Sequence, residues 1–192
     1  MNTARARGIV AAGALGMALL LNGCSADVPA DSNSTAAQGH GGHGGHGGAD
    51  HPADGGPVPA DMAAAASPRF PVGSQVTLTA DHLDGMVGAR ATVVGAYDTY
   101  TYAVDFTPTT GGGLIEDHRW VVQEEISDAG DERLADGTEV RLAAAHMDGM
   151  DGAAARIARS TDETVYVVDF EADGMKMTNH KWVVESEMQP TS

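Results

Sequence analysis

The chain has 192 residues, 27 Asp and Glu against 11 Lys and Arg, a formal charge of −16 at pH 7 and a single cysteine. An acid excess of this size repels phosphate backbones and anionic head groups, which argues against nucleic acid as a partner and for cations. With one cysteine there is no internal disulfide, so a folded part must be held by its core alone.

Arg5 and Arg7 give a short basic start, and Ile9 to Leu21 is an uncharged apolar run with the shape of a secretion signal. It is too short to span a bilayer comfortably as a permanent helix. It ends in Leu21-Asn22-Gly23-Cys24, which resembles the lipobox of bacterial lipoproteins, where the signal is cut before a cysteine whose thiol carries a diacylglycerol. Residues 1–23 are therefore expected to be removed and Cys24 to be lipidated. This places the protein at the cell membrane, lipid-anchored on the extracytoplasmic face. Removal of Arg5 and Arg7 with the signal takes the charge from −16 to −18, since no acidic residue leaves with them.

From Cys24 to Pro68 the composition is Ala, Gly, Asp, Ser, Pro and His, with almost nothing to bury, and a disordered tether is expected over 24–68. Within it, Gly39-His40-Gly41-Gly42-His43-Gly44-Gly45-His46 is followed by His51. Short His-rich tracts suit copper, nickel and zinc, and the glycines let several rings converge loosely on one ion. The alternative is a solvated spacer that happens to carry histidines.

The remainder is a duplication. Gly73-Ser74-Gln75-Val76-Thr77-Leu78 matches Gly137-Thr138-Glu139-Val140-Arg141-Leu142, sixty-four positions on, and the same offset carries His82 onto His146, Met86 onto Met150 and Tyr102 onto Tyr166. After a loop two residues shorter, His118-Arg119-Trp120-Val121-Val122 matches His180-Lys181-Trp182-Val183-Val184. Inside each copy the signal has period two. Tyr100, Tyr102, Val104 and Phe106 alternate with Thr99, Thr101, Ala103 and Asp105, as in a half-buried strand. Four or five short strands per copy predict an all-β protein of two tandem small SH3-like barrels, over 69–127 and 133–189, after the His/Gly-rich linker. Each core is small, so packing of one barrel on the other is expected to add burial.

These residues together resemble the YdhK family of bacterial lipoproteins, which carry a lipobox, a His/Met/Gly-rich linker and a tandem domain of unassigned function. The most specific pieces are His146-Met147-Asp148-Gly149-Met150 with Gly152-Ala153, Val165 to Phe170, Asn179 to Glu187, and Asp105-Phe106-Thr107-Pro108-Thr109-Thr110-Gly111-Gly112. Some relatives are implicated in copper tolerance as surface copper-binding lipoproteins, so the resemblance implies copper here. The first copy departs from the pattern with Leu83 in place of the first methionine, and the second reads Glu171-Ala172-Asp173-Gly174 in place of the Thr-Pro-Thr-Thr-Gly-Gly loop.

The residue types permit that chemistry. Thioether sulfur is a soft neutral donor that favours Cu(I), and imidazole completes a two- or three-coordinate site. His146, Met147 and Met150 lie within five residues on a Gly-containing loop. His180 is two residues from Trp182, so in a regular strand both would face one side and His180 could reach the same ion. The first copy offers His82, Met86 and His118 at the matching places. The competing reading makes the methionines core filler and the histidines hydrogen-bonded core residues. No Ser/His/Asp or Cys/His set appears, so an enzyme is not expected. The expected function is a membrane-anchored lipoprotein that sequesters soft metal ions, foremost Cu(I), or confers tolerance to them. The alternative is an envelope adhesion or scaffold module of paired barrels. Hard-cation binding by Asp84, Asp148 and Asp151 fits no known calcium-loop spacing.

Overall fold

The computed structural model describes residues 51–191. Among these residues are nine strands and two 3₁₀ turns, with no α-helix. In chain order the strands are β1 (Gln75–Leu78), β2 (Arg90–Tyr97), β3 (Thr101–Phe106), β4 (Ile115–Val122), β5 (Glu139–Arg141), β6 (Ala154–Thr161), β7 (Val165–Ala172), β8 (Met175–Val184) and β9 (Met188–Pro190). The 3₁₀ turns, Gln123–Glu125 and Glu185–Glu187, follow β4 and β8 at matching places in the two repeats.

The all-β expectation holds, but the sheets do not follow the repeat boundaries. One sheet runs β8-β7-β2-β1-β9 and the other β4-β3-β6-β5. Each lobe therefore draws strands from both repeats, two and three in the first sheet and two and two in the second, and the boundary between sheets passes through the middle of 69–127 and of 133–189. The connections explain this. Asp98-Thr99-Tyr100 and Asp162-Glu163-Thr164 are short and lack the Gly or Asn of a tight hairpin. They carry the chain across to the other sheet. Where a hairpin does form, between β7 and β8, Asp173 (φ 51°) and Gly174 (φ 78°) supply the two left-handed residues of a two-residue turn.

Three apolar clusters result. Val76, Leu78, Met86, Val93, Tyr166 and Phe170 are part of the first lobe's core. Tyr102, Phe106, Val121, Leu142, Met150 and Ile157 are part of the second's. A third joins the sheets through Ala103, Trp120, Val122, Val165, Val167, Trp182 and Val184. β3 and β7 are thus buried on both faces, and Thr101 and Ala103, expected on a half-exposed strand, are 0% exposed. The two tryptophans sit at the junction between the lobes.

The expected tether also ends earlier than Pro68. Ala53 and Gly55 exchange backbone hydrogen bonds with Thr178 (2.8 and 2.9 Å), and Ala63 and Ala65 bond with Asp98 and Ala96 (3.0 Å each). Residues from His51 onward therefore lie along the folded unit. Cys24, His40, His43 and His46 are outside the described residues.

Candidate metal centre

Each lobe locks a histidine from the loop after its first strand onto a glutamate from the other repeat. His146 Nε2 lies 2.8 Å from Glu125 Oε1, and His82 Nε2 lies 2.7 Å from Glu187 Oε1. The second carboxylate oxygens accept indole N–H bonds, Trp182 to Glu125 (2.8 Å) and Trp120 to Glu187 (2.9 Å). Those oxygens also accept the backbone N–H of Val122 (3.3 Å) and Val184 (3.2 Å), which holds each glutamate over its 3₁₀ turn. A cation stands behind each pair at 3.8 Å, Lys181 by Glu125 and Arg119 by Glu187.

Burial alone would push the Glu125 and Glu187 carboxyls up. The paired histidines and tryptophans, with the Lys181 charge at Glu125 and the Val184 N–H at Glu187, hold both below the ordinary range. Sequence reasoning missed these glutamates as site residues. Their one signal was recurrence, three positions after each Val-Val pair.

His118 and His180 enter the interior by another device. Asp117 (φ 54°) and Asn179 (φ 50°) take the left-handed conformation just before them. The backbone N–H of each is accepted by Asp105 (2.9 Å) and Asp169 (2.7 Å). These two aspartates, expected to face solvent, instead pin a bulge. The pairing slips again on the other side of each histidine: Val104 opposes His118 but Tyr102 opposes Val121, and Val167 opposes Lys181 but Tyr166 opposes Val183. The slip separates each histidine from its tryptophan, against the expectation that they share a side. Trp182 goes to the junction. His180 instead meets the edge of Phe170 (centroids 5.3 Å), as His118 meets Phe106 (5.6 Å).

All five histidines among the described residues share one neighbourhood. Ring centroids lie 6.2 Å apart for His118 and His146, 6.0 Å for His51 and His118, and 6.3 Å for His51 and His180. His180 is 4% exposed, and its Nε2 is buried without a hydrogen-bond partner. Burial, followed by the charges of His82, His51 and His146, lowers its pKa to about 3. Burial, with His146 and His82, lowers that of His51 to about 4. Both rings are neutral at physiological pH, with lone pairs available.

The thioethers are placed differently. Met86 and Met150 point inward and are 0% exposed inside the two lobe cores, as the packing reading has them. Met147 packs against the second lobe's core and lines a cavity of about 330 Å³ with Pro52, Asp148 and Asp151. Leu83 packs at the matching place in the first lobe. Among the described residues no group of three His, Cys, Asp or Glu side chains is already gathered at ion-holding distance.

Fold and site together define an all-β tandem-repeat protein with its histidines gathered among exchanged strands. The chain belongs to the family described as "Protein of unknown function (DUF1541)", whose pattern matches residues 72–123 and 136–185. It is 50% identical over 133 residues to the "Uncharacterized protein YdhK" of Bacillus subtilis (strain 168); the match spans 68% of this chain and 65% of that protein, just under two thirds of its length. A crystal structure of the B. subtilis DUF1541 family protein (ydhK) superposes with a TM-score of 0.70 at 48% identity, covering 71% of this chain and 94% of that one. The solution structure of the ydhK C-terminal domain gives 0.61 at 51% identity, covering 63% and 93%. These relatives indicate no enzymatic family.

Proposed function

We propose that this chain is a lipid-anchored extracytoplasmic protein that binds soft metal ions, foremost Cu(I), at the buried imidazoles, for sequestration or tolerance. The observation that carries the reading is His180: a neutral, buried imidazole whose Nε2 has no hydrogen-bond partner and which lies near His51, His82 and His146. A buried donor or acceptor left unmade costs free energy, and a coordinated ion would remove that cost. Zinc in closed protein sites takes four ligands. Two or three imidazoles suit Cu(I). His118, the repeat partner of His180, is the second donor. His82 and His146 are already committed to Glu187 and Glu125.

The test uses the full chain with Cys24→Ser, so that it stays soluble, titrated with Cu(I) against a competing chelator. Replacing His118 and His180 together by Asn is expected to weaken binding at least tenfold, about 1.4 kcal/mol. Unchanged affinity in that folded variant removes the reading. The anchor is tested separately: Cys24→Ala should free the protein from membranes, and correct cleavage with membrane retention would contradict lipidation at this position.

A further inference from the structure

We propose that His51, which belongs to neither repeat, is the third ligand of the imidazole centre, and that residues 53–58 form a strap that fastens over the bound ion. The inference rests on the metal reading above and adds a ligand from outside the duplication. His118 and His180 are twins, one from each repeat, and can offer an ion two equivalent donors. Apart from Met147, which Leu83 replaces in the first repeat, a third donor from one repeat would have a matching fourth in the other. His51 offers a third donor from outside the duplication.

Its placement is close to what sharing an ion requires. Imidazoles bound to one ion at metal–nitrogen distances of about 2 Å have centroids on the order of 5–6 Å apart. The His51 ring is 6.0 Å from that of His118 and 6.3 Å from that of His180. The His51 and His118 rings lie nearly parallel, at 6°, so sharing an ion requires His51 to turn its ring as well as move inward.

The strap that carries His51 lies on the strand that carries His180. Thr178 exchanges backbone hydrogen bonds with Ala53 and Gly55, Asn179 Nδ2 donates to Asp54 Oδ1 (3.0 Å), and Lys181 Nζ donates to the Pro57 carbonyl (3.0 Å). Its anchor points therefore flank His180 on both sides. The seating depends on Gly55, where a Cβ would meet the Asn179 carbonyl oxygen at 2.0 Å. The strap is otherwise held by few bonds, most of them exposed, which makes it a segment of low local stability that a ligand can close. Among the described residues, 53–58 lie along β8 and no equivalent segment lies along β4.

The experiment uses the full Cys24→Ser chain with His40, His43 and His46 replaced by Ala, so that the linker histidines do not compete. Cu(I) affinity is read against a chelator, and amide hydrogen exchange is followed at Gly55 and Thr178 with and without Cu(I). His51→Ala should weaken binding about tenfold. Gly55→Val, which leaves every imidazole in place, should cause a loss of similar size. In the parent, Cu(I) should slow exchange at both amides at least tenfold. Parental affinity in His51→Ala, with binding still lost on substitution of His118 and His180, would overturn the third ligand and leave the metal reading standing. Cu(I) binding without strap protection would overturn the clasp. If no substitution at the centre matters, both readings fall together.

Discussion

Trp182, in the second repeat, donates its indole N–H to Glu125, in the first, at 2.8 Å, and the same carboxylate holds His146 through its other oxygen. One buried side chain thus ties together the junction, a 3₁₀ turn and the loop that carries His146. Removing it would strand two buried polar groups and the Lys181 ammonium. Glu125→Ala is therefore expected to cost about 3 kcal/mol in urea unfolding. Neighbouring Glu124→Ala should change stability by no more than about 0.5 kcal/mol. Equal effects of the two would contradict the linking role of Glu125.

Acid should unfold the protein through these same carboxylates. Glu125 and Glu187 have folded pKa values below the ordinary 4.5. Their stabilisation is therefore full above pH 4.5 and disappears as pH falls through the lower folded values. His51 and His180, neutral in the fold with pKa values of about 4 and about 3, must stay uncharged where the unfolded chain takes up protons, so the urea midpoint should begin to fall below about pH 6.5 and fall more steeply once the two glutamates protonate. Glu125→Gln with Glu187→Gln should lower the midpoint at pH 7 and flatten the acid limb. A double variant with the parental pH slope would place the acid sensitivity elsewhere.

Strand exchange makes a prediction about one repeat alone. Residues 133–191 contain β6 and β7, whose neighbours in the whole chain are β3 and β2 of the other repeat. Because β2 and β3 are the repeat partners of β6 and β7, two copies of this fragment can supply each other's missing strands. Sedimentation should show a dimer with strand-rich circular dichroism. A folded monomer would mean that a single repeat can close its own sheet.

The buried methionines should behave as packing. Met150→Leu should cost under about 1.5 kcal/mol, and Met150→Ala about 2–5 kcal/mol. Met147→Leu with Met150→Leu should keep Cu(I) affinity within about threefold, because the imidazoles carry the site. A tenfold or larger loss in that folded variant would return the thioethers to the ligand set.

The duplication and the period-two pattern made the β class legible, and they located the strands around Tyr102, Phe106, Tyr166 and Phe170. What they could not convey was which copy each strand pairs with. β2 reads the same whether its neighbour is β3 or β7, since those two strands are repeat partners. The choice lies in the short Asp98-Thr99-Tyr100 connection, which carries no strong turn residue. The five folded-part histidines were all legible as candidates, but their grouping was misread. A regular strand would have put His180 beside Trp182, and the slip that leaves Trp182 between the Lys181–Val167 and Val183–Tyr166 pairs breaks that regularity. Glu125 and Glu187 looked like surface charges because nothing local marks them as buried. His51 was assigned to the linker by composition, and only its contact with β8 shows where the linker stops.

Strand β9, at the end of the described chain, pairs with β1, at the start of the duplication: Leu78 lies opposite Met188 and Val76 opposite Pro190. The β2–β7 and β3–β6 pairings also join residues far apart in sequence. Neither sheet can be completed by the first half of the chain, so the nascent first repeat has no native partner until the second is available. Folding of this kind has high contact order and proceeds slowly, with loop-closure entropy spent before most pairings can form. The two lobes should accordingly gain and lose structure in one transition. A chain interrupted between the repeats would yield two open-edged fragments, each able to mature only by pairing with a second fragment, whether its counterpart or another copy of itself.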